Sequence, residues 1–241
     1  MADYPDPMIF GDVLDAYFRD FVSKVTRRVC KDQYVGLVSA EGYIWGTSPK
    51  GFSCREEPLR RPPENPPIIL ILESPHKDEF KPEEPVPANG STGRNIREYI
   101  HVALREKLTD GITRSLILVN AIPYQCSAGV KTESHRSGIF RRMWRKKGVR
   151  DSFAKRIQRY VGDERGNALI VNACTRGERT HPNERDLYCL VEDVLFHRFG
   201  GSDSSVPHPS NWVPPTGESE PIIEQRQYFP RPGLRWACGS S

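Results

Sequence analysis

Four stretches of this sequence carry side chains able to do chemistry, and three of them follow an apolar run directly. Glu73, Ser74, His76, Asp78 and Glu79 come after Ile68–Leu72; Asn120, Tyr124 and Gln125 come after Leu116–Val119. Asn172, Cys174, Thr175 and Arg176 come after Ala168–Val171, and His208, Ser210, Asn211 and Trp212 stand late in the chain. Asn and Ser at strand ends often serve only to bond nearby backbone. Carboxylate, imidazole and carboxamide brought to one rim would instead make a polar pocket, with Glu73, Asn120, Asn172 and His208 as its first members.

Other site chemistries find less in the sequence. The loop Lys81–Gly93 carries Gly90 and Gly93, but the following residues do not make a GxxxxGK[ST] phosphate loop, and no dinucleotide fingerprint follows the first apolar run. His76, Asp78 and Glu79, joined by His208, could ligate a metal, as a nuclease or phosphoesterase would require, although no HExxH spacing is present. A thiol nucleophile would use Cys126 or Cys174 with His208, and no third residue is marked to orient the histidine. The six cysteines form no CxxC pair, which suits reduced thiols rather than a zinc ribbon or disulfide scaffold.

The elements that must hold these residues can be read from periodicity. Val13, Leu14, Tyr17, Phe18, Phe21 and Val25 recur at helical steps and predict a helix over Phe10–Cys30. Two short apolar runs, 34–39 and 43–46, surround a Gly-containing turn and predict a hairpin. Proline-rich residues 60–67 read as a linker. The three apolar runs read as strands covered on both faces, and Val206 as a short last strand. Helices are expected over Arg94–Leu108, over a basic segment Gly138–Tyr160 and over Glu184–Phe199. Strands alternating with helices predict an α/β three-layer sandwich around a mostly parallel four-stranded sheet, with the N-terminal helix and hairpin lying against it. One domain over 1–241 is expected: 1–66 as N-terminal helix, hairpin and linker, 67–212 as core, and 213–241 as an irregular tail.

The chain has 241 residues, of which 37% are hydrophobic, enough for a substantial core, and its formal charge is +4. No apolar run is long enough to cross a bilayer, and the opening residues do not read as a cleavable signal, so a cytoplasmic, monomeric protein without a membrane partner is the expectation. Positive charge gathers in residues 131–160, which include Lys131, Arg136, Arg141, Arg142, Arg145, Lys146, Lys147, Arg150, Lys155, Arg156 and Arg159 against Glu133 and Asp151. Such a segment attracts a phosphate backbone, with Trp144 and Phe140 among its apolar residues.

In order and placement these residues resemble the uracil-DNA glycosylase superfamily. Leu72, Glu73, Ser74, Pro75 and His76 are similar to its first motif, Gly-Glu-x-Pro-Gly or Gly-Gln-Asp-Pro-Tyr-His. Glu79 stands where the iron-sulfur branch has a further acidic residue, and Gly90–Ile96 is similar to that branch's glycine segment. Asn120 matches the residue that reads the base edge, and His208, Pro209 and Ser210 match the late His-Pro-Ser motif. Leu72 replaces the motif glycine, Ser74 falls where the six-residue motif has its catalytic Asp, and the cluster cysteines are missing, so no cofactor is implied.

The resemblance implies a DNA glycosylase that flips a nucleotide into the pocket and leaves an abasic site. Glu73 would hold water or stabilise the sugar cation, with Glu79 as its substitute, and His208 would donate to the departing base. Asn120 would read the base, with Ser74, His76, Tyr124 and Asn172 also lining it. An imidazole at His76 in place of the family's tyrosine would admit a 5-substituted pyrimidine, which implies a modified cytosine or uracil, in repair or in defence against phage with hypermodified DNA. Arg141, Arg142, Arg145, Lys146 and Lys147 would track the DNA, assisted by Arg94, Arg176, Ser210 and Trp212. A binding protein of the same fold without catalysis is the alternative that Ser74 raises.

Overall fold

A computed structural model describes residues 4–45, 65–127, 132–162 and 167–228. Lys131, Cys54, Cys238 and most of the proline-rich linker lie outside the described residues.

Helix α1 spans Pro7–Tyr17; Asp6 caps it by accepting the Met8 N–H at 2.8 Å, and proline occupies its first turn. It is shorter than the expected Phe10–Cys30 helix. Residues Arg19–Lys24 form a 3-10 turn, and the chain then runs extended, because tertiary partners claim its backbone: Thr26 N–H donates to Gln125 Oε1 (3.1 Å) and Cys30 N–H to the Pro123 carbonyl (2.9 Å). Phe21 keeps its place in the core without the helix.

Strands β1 (Gln33–Ser39) and β2 (Gly42–Trp45) form the expected hairpin. It does not lie against the sheet. β1 pairs antiparallel with β4 (Arg114–Asn120) and so satisfies an edge that would otherwise be open. With β3 (Pro67–Leu72), β5 (Leu169–Asn172) and β6 (Ser204–Ser205), the described residues make a mixed six-stranded sheet of order β2-β1-β4-β3-β5-β6. Its four strands β4, β3, β5 and β6 are mutually parallel. The fold is therefore α/β, as expected, but its sheet is larger and mixed. The last strand falls just before Val206, whose N–H bonds the Asn172 carbonyl at 3.0 Å.

Two-residue alternation divides the core. Ile69, Ile71, Ile117, Val119 and Ile170 face α1, α3 (Thr132–Trp144), α4 (Lys147–Val161) and α5 (Leu187–Phe199). Ile68, Leu70, Leu72, Leu116, Leu118 and Val171 face α2 (Ser91–Ala103) and Trp212. The basic segment is two helices, not one. Lys146 is extended between them, where three successive cations crowd, and Arg150 Nη1 donates to the Trp144 carbonyl at the end of α3 (2.7 Å). From 213 to 228 the described chain is irregular yet tied down: Arg226 N–H donates to the Ser205 carbonyl and its Nη1 to the Cys174 carbonyl, both at 2.6 Å. Among the described residues no helix is long and apolar enough to cross a membrane.

Candidate active site

From β3 the chain passes through α2 on one face to β4, then returns through α3 and α4 on the other face to β5 on the far side of β3. The connections thus diverge between β3 and β5, the topological switch point at which open α/β sheets bind ligands. A cavity of about 260 Å³ opens there. Its walls are Leu72 to His76, Asp78 and Glu79 after β3, Ala88 to Thr92 at the start of α2, Ser127 after β4, Arg136 from α3, Thr175 after β5, and His208 and Ser210 after β6.

Glu73 is nearly fully buried at this point. Its carboxylate accepts the Thr175 hydroxyl, lies 3.4 Å from Ser74 Oγ, and pairs with Arg136 Nε at 3.5 Å. Opposite stands His208, held by a local device. Asn95 on α2 donates to the Pro209 carbonyl (2.8 Å), fixing the 3-10 turn Pro209–Asn211. Within that turn the Ser210 N–H (3.3 Å) and hydroxyl (2.9 Å) both approach His208 Nδ1. Burial, with help from the Arg136 and Arg226 cations, pushes the imidazole pKa down to about 3. The ring is neutral, Nδ1 is the acceptor, and the proton belongs on Nε2, which has no partner among the described residues. His208 is thus a neutral donor on the cavity wall.

A second carboxyl, Glu79, forms the floor. It sits on the 3-10 turn Lys77–Phe80 that His76 caps through Nδ1, 3.3 Å from the Asp78 N–H. Burial raises the Glu79 pKa to about 8, and the Cys30 thiol approaches its Oε2 at 3.9 Å. Asn120 lies behind it, buried, with Nδ2 3.8 Å from Cys30 Sγ and with Oδ1 unpartnered. A fully buried ion pair braces this floor: Arg156 Nη1 meets Asp32 Oδ1 at 2.5 Å, while Nη2 donates to the Asn120 and Ala121 carbonyls at 2.9 and 3.1 Å.

Several expected site residues lie elsewhere. Tyr124, expected beside a base, stacks on Phe10 with centroids 4.8 Å apart and donates to the Pro5 carbonyl. Asn172 is spent on structure: it donates to the Tyr188 carbonyl (3.0 Å) and Glu192 Oε2 (2.8 Å) and accepts from Cys174 N–H (3.2 Å). Trp212 is buried in the core and donates to the Pro207 carbonyl at 2.9 Å. Arg141 is buried, bonded to the Arg185 and Glu178 carbonyls and paired with Glu184. Arg142 covers the Tyr17 ring at 4.1 Å. Arg145, Lys146 and Lys147 are exposed, but Arg145 is nine residues along from Arg136, about 14 Å at 1.5 Å per residue. Part of the basic stretch is therefore interior wiring, Arg156 above all. Arg94 and Arg176 are exposed next to cavity-lining residues.

The thiols Cys126 and Cys174 are buried and burial raises both pKa values, which leaves neither a nucleophile's thiolate. Among the described residues no three His, Cys, Asp or Glu side chains converge as a metal site would need. Sequence reading missed Arg136, Thr175, Ser127 and Asn89 as wall residues. Arg136 was visible only as one cation in a run, and Thr175 only as a strand-end hydroxyl; nothing local distinguishes them.

What fold and site define is a mixed-sheet α/β protein with a polar, partly enclosed cavity at its switch point, offering two buried carboxyls and a neutral imidazole. The chain matches no protein-family model, and searches of curated proteins and of solved structures find no similar protein.

Proposed function

We propose that this chain is a DNA glycosylase that hydrolyses the N-glycosidic bond of a modified or damaged nucleotide flipped into the cavity, leaving an abasic site. The observation that carries the reading is the meeting of Glu73 and His208, 135 positions apart in sequence, on one cavity, with the imidazole neutral and its Nε2–H free. The leaving base takes the electron pair of the broken C–N bond, and Nε2–H donates a hydrogen bond to the charge that develops on it. Glu73, held by Thr175 and Arg136, would hold the attacking water or stabilise the cationic sugar. The order of the strand-end motifs supports the same class.

The cavity also limits the guest. A cavity of roughly 150 Å³ accepts benzene, so 260 Å³ holds a six-membered ring with room for substituents. That space favours a substituted pyrimidine, and the half-buried His76 on the wall is polar rather than bulky. Arg94 and Arg176 at the rim take the place of the remote Arg145, Lys146 and Lys147 as first contacts to DNA phosphates, where each neutralised phosphate adds salt dependence.

The test is incubation with DNAs carrying uracil, deaminated purines and 5-modified cytosines, followed by alkali. Strand cleavage that appears only after alkali is expected. Cleavage without alkali that requires magnesium would replace this reading with a nuclease, and bound but intact DNA across the whole panel would replace it with a binding protein.

A further inference from the structure

Thr175 gives its hydroxyl to the Glu73 carboxylate, so whatever orients Thr175 also orients Glu73. A residue's backbone has two soft dihedrals, and the peptide planes on either side of its Cα set them. Both planes at Thr175 are pinned. On the C-terminal side, its carbonyl accepts the Tyr188 N–H from α5 at 3.0 Å. On the N-terminal side, the Cys174 carbonyl shares a plane with the Thr175 N–H and accepts Arg226 Nη1 at 2.6 Å. Cys174 is fully buried, and no other donor reaches its carbonyl among the described residues.

Arg226 is itself anchored. Its backbone N–H donates to the Ser205 carbonyl of β6 at 2.6 Å. The neighbouring Gln225 ties that edge of the sheet to α2: it accepts the Ser204 hydroxyl (2.6 Å) and donates to the Ala103 carbonyl (3.2 Å). The guanidinium lies over the Tyr188 ring, 4.8 Å from its centroid. Tyr188 thus serves both planes, its N–H bonding the Thr175 carbonyl and its ring supporting the cation that bonds the Cys174 carbonyl.

We infer that Arg226 is a positioning residue of this site: it fixes the Cys174–Thr175 peptide plane and, through it, the hydroxyl that orients Glu73. Arg226 is not among the cavity-lining residues, so it acts through Thr175 rather than on a guest. The branched Thr175 side chain has few χ1 choices, so a fixed backbone there fixes the hydroxyl. The inference rests on reading Glu73 as the group that serves the glycosidic bond, and it makes segment 213–228 part of the working site rather than an irregular tail.

The test uses the intact chain carrying Arg226→Met, Thr175→Val or both. Single-turnover excision should fall roughly tenfold in each single variant, with DNA affinity kept, as one oriented hydrogen bond is lost. The double variant should be no slower than the slower single, because the hydroxyl that Arg226 positions is already gone; losses that multiply to roughly a hundredfold overturn the inference. In parallel, threonine-methyl NMR reads Thr175 directly, its signal assigned by its absence from Thr175→Val. Three-bond couplings should report one χ1 rotamer in wild type and an average in Arg226→Met, with the other threonine methyls unmoved. Unchanged Thr175 couplings overturn the inference. So does full recovery of turnover in Arg226→Lys with Thr175 still averaged, which would assign the effect to charge alone. Arg226→Gln, too short to reach Cys174, is read in the same way if the Met variant folds poorly. A Thr175 methyl that responds as expected in a protein leaving every DNA intact would sink the glycosylase reading alone; excision in wild type with Thr175 unaltered by Arg226→Met would sink this one alone.

Discussion

On the proposed glycosylase reading, a His208→Ala variant takes the donor Nε2–H from the leaving base while the cavity keeps its other walls. One donor aimed at developing charge in an enclosed site is worth about 2.7–4 kcal/mol, or about 10²–10³ in turnover. His208 belongs in that range because the ring is half-buried on the cavity wall, neutral and oriented by two contacts to Nδ1, from Ser210 N–H and Ser210 Oγ. Ser210→Ala removes only the hydroxyl contact at 2.9 Å, so its loss should be smaller, roughly tenfold or less. The assay is single-turnover excision on the best substrate of the panel, read after alkali, with DNA affinity measured alongside.

The pH profile makes the argument sharper. A ring with its pKa near 3 is a donor at every pH where the protein would be assayed, so His208 should contribute no acid limb near the ordinary 6.5. Folding stability responds in a defined direction. Below about pH 6.5 the unfolded chain protonates this histidine, whereas the folded chain does not until about 3, so the unfolded state binds more protons and stability falls as pH falls through that window. His208→Asn should flatten that slope. Full turnover in His208→Ala, or a limb near 6.5 that the substitution abolishes, would refute the neutral-donor reasoning.

Three other perturbations have directions set by the structure. Glu73→Gln should lower single-turnover excision on the order of 100-fold or more with DNA affinity kept, and Thr175→Val, which removes the hydroxyl bonded to it, should lower it less. Arg156→Met strands Asp32 and two carbonyls in the core and should cost about 3–5 kcal/mol, roughly 6–20 °C in Tm; the double variant Arg156→Met with Asp32→Leu should cost less than that single change, since no buried charge remains unpaired. Gly177→Ala should lower the unfolding free energy read from urea titration by about 2 kcal/mol or more, because the backbone has φ +69° and a Cβ would lie 2.5 Å from Leu187 Cγ.

Much of this molecule is visible in its one-dimensional pattern. Runs of consecutive apolar residues at 68–72, 116–119 and 169–171 can be satisfied only by strands covered on both faces, so the parallel centre and its helices follow from hydropathy alone. Residues just past such strands must gather at one rim, which is why Glu73, Ser74, His76, Glu79, His208 and Ser210 all reached the cavity wall. Hydropathy says nothing about partners distant in the chain, and there the tertiary structure decided. Helix periodicity through Cys30 gave way to backbone bonds with Pro123 and Gln125, and the hairpin joined the sheet because β4 had an open edge. Charge is equally ambiguous in sequence: Arg145 and Arg156 look alike there, yet one is exposed and the other neutralises Asp32 in the core. A polar side chain's role depends on which groups surround it in space, so Tyr124, Asn172 and Trp212 turned inward to neighbours already waiting for them, and Arg136 and Thr175 joined the site because the fold, rather than any local motif, carried them to Glu73.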